Sequence, residues 1–78
     1  MLGSDGNSDT APSTTDGVAF PIHVLALNAM GVHLLDYLQL EELAAACASE
    51  GRWEFLFAGA PLRIVGGTGS PLNPLAIL

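Results

Sequence analysis

Few side chains in this sequence could do chemistry: His23, His33, Cys47, the carboxylates, and scattered serines and threonines. Metal binding asks for ligands at close spacing, such as H-x3-H or C-x2-C, so that neighbours share one ion. His23 and His33 lie in different predicted elements, and Cys47 stands alone on a helix face. No self-contained metal site is expected, and both histidines read as hydrogen-bonded core residues. A nucleophile needs a base and an orienting group within reach. Ser49, Ser70 and Cys47 have no spacing that assembles them with a histidine, and Cys47 reads as a small buried residue. Asp36 and Glu54 show no sign of being a catalytic pair. The run Gly66-Gly67-Thr68-Gly69 suggests phosphate cradling but lacks the lysine of a P-loop. Pro71 and Pro74 follow where a helix should start, so the run reads as a turn needing positive φ. Catalytic and metal residues within the chain are therefore expected to be none.

The elements that must position these groups are short. Residues 1–18 are rich in Gly, Ser, Thr and Asp, which leaves little apolar surface to offset chain entropy. They form a polar tail, or else a loop ordered by contacts from elsewhere, and residues 19–78 form the domain proper. Pro21 to Met30 is strongly apolar, with Pro at a first helical position and Gly31 at the stop, and reads as a short buried helix. Val32 to Leu35 follows as a short strand closed by Asp36. Leu40, Leu43, Ala44 and Cys47 repeat at the spacing of one helical face, with Glu41 and Glu42 in the first turn and Gly51 as the stop. Trp53, Phe55 and Phe57 alternate with Glu54, Leu56 and Ala58 as a strand does. Pro61 interrupts the run, and the Gly-rich turn leads into a short apolar tail, Leu75 to Leu78. The order from Val32 through the helix to Trp53 predicts a β-α-β unit in an α/β fold, with two parallel strands.

Length and charge exclude several functions. Seventy-eight residues allow one domain, and so small a chain buries a modest core. A net charge of −6 with Arg52 and Arg63 as the sole cationic side chains argues against phosphate-mediated nucleic-acid binding and against an anionic membrane surface. No apolar run reaches the length of a membrane span, and no signal peptide is visible. One cysteine allows no internal disulfide, and a cytoplasmic setting is expected. One helix and one apolar segment shield a single face of a small sheet, leaving the other bare. The chain thus reads as a piece of something larger, or as a homo-oligomer joined through that exposed apolar face.

Taken in order, the motifs resemble the C-terminal portion of the cyclase family of metal-dependent hydrolases. The resembling features are His23 and Gly31, Asp36, and the Leu-rich helix from Leu40. They continue with Trp53 to Phe57, Ala60-Pro61-Leu62 and Gly69-Ser70-Pro71. Gly3-Ser4-Asp5 and Ser8-Asp9-Thr10 also look like that family's loop before the histidine, so the resemblance covers roughly residues 3–78. The family includes bacterial kynurenine formamidases (arylformamidases) of tryptophan catabolism. The resemblance implies a partial swivelling β/β/α fold and a parent that hydrolyses C–N amide bonds with a divalent metal, zinc or manganese, that activates water. The family signature H-x-G-T-H-x-D is absent, and neither histidine sits in it, so the resemblance implies an inactive segment with no cofactor of its own. His23 becomes the pocket-lining candidate of the full-length parent. Asn73 departs from the family, many of whose members carry Arg after S-P. The competing expectation is a small non-catalytic protein that folds by self-association or docking.

Overall fold

The computed structural model describes residues 1–78 and divides into two compact units, Met1–Leu40 and Glu41–Leu78. The division falls inside the region read from sequence as one domain. Residues 1–18 belong wholly to the first unit.

The first unit is built as strand, helix, strand. Strand β1 (Leu2–Gly3) pairs in parallel with β2 (Leu34–Leu35), in the register Leu2 to Leu34 and Gly3 to Leu35. Parallel neighbours need a crossover. Here it contains helix α1 (Pro21–His23), which runs on as a wider π-helix over Val24–Ala29. It is not the buried helix expected, since Ala26 alone is buried and Val24, Leu25 and Leu27 are exposed. Pro21 opens the helix where a missing N–H costs nothing. At the far end Met30 N–H donates to the Leu25 carbonyl at 3.0 Å and Val32 N–H to that of Ala26 at 2.7 Å. Gly31, at φ 64°, makes that reversal without a Cβ penalty. The first nine residues of the N-terminal segment are tied to the rest of the unit by hydrogen bonds. Beyond the strand register, Ser4 N–H donates to Leu35 O and Leu38 N–H to Ser4 O, while Tyr37 N–H donates to Gly6 O. Tyr37 accepts a φ of 57° to make that turn, unusual for a bulky side chain.

In the second unit, helix α2 (Glu41–Glu50) carries Glu41 and Glu42 in its first turn, where the helix dipole favours carboxylates. It ends in a Schellman arrangement. Arg52 N–H reaches Cys47 O at 3.1 Å and Gly51 N–H reaches Ala48 O at 3.3 Å, with Gly51 at φ 64°. Of the face expected from spacing, Cys47 is buried, Leu43 is half-buried and Ala44 is exposed. Strand β3 (Leu56–Ala58) pairs antiparallel with β4 (Leu75–Ile77). The aromatic strand is therefore shorter than its alternation suggested, and Trp53 and Phe55 lie outside it, exposed. Pro74 has no N–H to extend the ladder before Leu75.

The β-α-β unit expected from Val32 through α2 to Trp53 does not form: β2 and β3 belong to different two-stranded sheets. Chain entropy does not decide this. Closing residues 36–55 instead of 59–74 would differ by only about 0.2 kcal/mol. The decision lies with the partners: β1 satisfies the β2 backbone, and the apolar tail forms β4 beside β3. Mixed helix and strand, an α/β composition in the broad sense, is what remains of the expected class, with the crossover one element earlier in the chain.

Candidate functional site

The first unit gathers polar side chains at the carboxyl ends of its two parallel strands, the place where open α/β sheets hold ligands. Asp9 comes from the loop after β1, His23 from the first turn of α1, and Asp36 directly follows β2. The helix start explains Asp9. Phe20, at the cap position, offers no side-chain hydrogen bond, so the first N–H groups need an acceptor from elsewhere. Asp9 supplies it: Oδ1 accepts from Ile22 N–H at 2.8 Å, and Oδ2 from His23 N–H at 3.0 Å. Asn7 Oδ1 in turn accepts from Asp9 N–H at 2.8 Å, which fixes the loop.

The same Asp9 Oδ2 lies 2.6 Å from His23 Nδ1. A carboxylate can only accept, so Nδ1 carries the proton in this contact. Asp9 is 7% exposed. Burial by itself would raise its carboxyl pKa. The hydrogen bonds from the His23 ring and from the Ile22 and His23 backbone, together with the charge of His23, outweigh that and hold it below the ordinary value.

The other ring nitrogen, Nε2, faces Asp36 Oδ2 at 3.5 Å, long for a hydrogen bond. Asp36 is oriented from its second oxygen, where Oδ1 accepts from Ser8 N–H at 3.0 Å and from the Ser8 hydroxyl. The result is two anchored pairs, Asp9 with His23 and Ser8 with Asp36, whose remaining atoms face each other. His23 is half-buried and within reach of solvent.

The remaining candidates stay apart. His33 is exposed, not a core residue, and contributes its carbonyl to the Leu2 N–H. Cys47 is a buried free thiol. Ser49 and Glu54 are exposed. Ser70 closes its own loop, accepting from Leu62 N–H at 2.8 Å and donating to Pro71 O. In the glycine run, Gly66 sits at φ 71° and Gly67 N–H is committed to Ile64 O, so the segment is a turn with no free cradle there. No group of three or more His, Cys, Asp or Glu side chains converges to hold a metal ion.

The sequence pointed to His23, named Ser8 and Asp9 only as loop residues, and weighed Asp36 only against Glu54, without pairing the two. The available signal was the uncapped start Phe20-Pro21, which required a distant acceptor. No family model matches the chain, and no curated protein or solved structure matches it.

Proposed function

We propose that the chain is the C-terminal part of a cyclase-type, metal-dependent amide hydrolase whose centre is completed by residues outside these 78. The observation that supports this best is His23, anchored on one side by a buried carboxylate and turned on the other toward Asp36. Histidine ligands of metals commonly donate their second ring N–H to a carboxylate, as Nδ1 does here. Two donors on one tetrahedral ion at about 2.0–2.2 Å stand roughly 3.3–3.6 Å apart. The 3.5 Å between His23 Nε2 and Asp36 Oδ2 fits that edge.

The donor set suits zinc or manganese. It supplies two positions, short of the three protein ligands of a catalytic site, so the others must come from elsewhere. His23 and Asp36 thus take a role that the spacing of the sequence had denied them. When bound, the ion would activate water for attack on an amide carbonyl. The chain's own residues would then do three things. Asp9 holds the ring, Ser8 holds the Asp36 carboxylate, and His23 Nε2 and Asp36 Oδ2 are thereby presented to one point.

The incomplete core supports a larger whole. Ala26 and Cys47 are the only buried hydrophobic residues, one in each unit, while Phe20, Trp53 and Val65 are well exposed. A small-molecule amide, of the aryl formamide kind, is the substrate class that the order of motifs supports, within a swivelling β/β/α fold. The cytoplasm suits the lone thiol. No helix is long and apolar enough to cross a membrane. The same apolar exposure favours a second reading, a non-catalytic chain that completes its core by self-association.

The test is to read the gene upstream of Met1 in frame, then express and assay the extended protein. An H-x-G-T-H-x-D segment, with metal-dependent hydrolysis of an aryl formamide lost in His23→Ala and Asp36→Ala, is the expected result. An in-frame stop close upstream, together with a folded oligomer of the 78 residues, would overturn the proposal in favour of the second reading.

A further inference from the structure

We infer that Asp9 is a positioning residue that fixes His23 as its Nδ1–H tautomer, so that the Nε2 lone pair is aimed at the point shared with Asp36. The inference deepens the proposed metal-ligand role of His23 and rests on that role for its purpose, but its geometry stands within this chain. Free imidazole can place its single proton on either nitrogen. Here one choice is closed. Asp9 Oδ2 faces Nδ1 at 2.6 Å and is an acceptor only. On the other side, Asp36 Oδ2 lies 3.5 Å from Nε2, too far to compete strongly for the proton.

The arrangement has little freedom to relax. Asp9 cannot turn away without giving up Ile22 N–H and His23 N–H, the donors at the helix start. Its own N–H is tied to Asn7. His23 cannot retreat either, because its backbone is part of the turn that Asp9 caps. One buried carboxylate therefore performs two tasks, capping the helix start and setting the ring. Asp36 is held independently through Ser8, so the two presented atoms are oriented by separate anchors.

The tautomer is read directly from the ring-nitrogen chemical shifts of the uniformly labelled 78-residue chain, at a pH where the imidazoles are neutral. His23 should show a pyrrole-like Nδ1 and a pyridine-like Nε2. His33, exposed and without a carboxylate partner, serves as the internal reference for a free ring. Asp9→Asn retains one oxygen for the helix cap but loses an acceptor, and it should shift His23 toward the His33 pattern while the helical amide signals persist. Ser8→Ala, which removes the hydroxyl bond to Asp36 and keeps the backbone N–H bond, should leave the His23 tautomer unchanged. A His23 ring with Nε2–H predominant in the unsubstituted chain would overturn the inference, as would Asp9→Asn leaving the shifts unmoved. Adding Mn2+ alone then tests the underlying reading separately. Selective broadening of His23 over His33 supports the ligand role, and equal broadening of both removes it while the tautomer result still decides the role of Asp9.

Discussion

Asp9 shows how one residue's environment is set by atoms distant in sequence. Its carboxylate is buried, which disfavours charge, yet two backbone N–H donors and the His23 ring favour the charged form more. Because its folded pKa is depressed, Asp9 contributes stability that is present above the unfolded carboxylate value, about 3.9. That contribution is lost as pH falls from there through the lower folded value. Urea unfolding between pH 2 and 6 should therefore show the first unit weakening below about pH 4, the range where an unfolded Asp takes up its proton. In Asp9→Ala the unfolding midpoint should be lower at neutral pH, and the part of the acid slope due to this group should vanish. An unchanged slope would mean that the carboxylate is not held as described.

Among the elements, the two helix ends at glycine are where local sequence and final geometry agree most closely. Gly31 and Gly51 each sit at φ 64°, and each closes a reversal whose hydrogen bonds end the helix before it. Nothing stands within 4 Å of a Cβ built on Gly51, so Gly51→Ala isolates the backbone cost. It should destabilise the second unit by about 1 kcal/mol, the scale of forcing an L-residue into the left-handed region. Gly69 also has room for a Cβ but does not lie at positive φ. Gly69→Ala should be neutral or stabilise slightly, by at most about 1 kcal/mol. Equal losses from both substitutions, read by thermal melts followed through helical circular dichroism, would contradict this assignment. The strands behaved differently from the helix ends. Their hydrophobic patterns marked where strands could form, but a strand needs a partner, and the pattern does not name one.

Across the whole molecule, the dominant fact is how little apolar surface is removed from water. Buried apolar area contributes about 25 cal/mol per Å². A chain whose large side chains stay exposed along both units leaves most of that unrealised. Exposed β3 and β4 side chains such as Leu56, Leu75 and Ile77 form a surface of the kind that partners cover. The isolated 78 residues should bind a hydrophobic dye such as ANS and should self-associate as concentration rises. The extended protein should do neither at the same concentrations. A strictly monomeric, dye-silent chain measured by sedimentation would show that its apolar faces are satisfied internally.

The sequence by itself determined the helix limits, the turn at Gly66 and the acidic, cation-poor surface. These follow from local chemistry: a proline at a helix start, a glycine where φ is positive, and the count of charges. Only the tertiary structure decided that β1 pairs with β2, that Ser4 to Asp9 bond to the β2 end and the helix start, and that Asp9, His23 and Asp36 meet. Residues 9, 23 and 36 share no periodicity, because their meeting depends on a parallel strand pair and the helix start between them. A helix lacking a local cap must draw an acceptor from somewhere, and the chain path, not the spacing of its residues, selected Asp9.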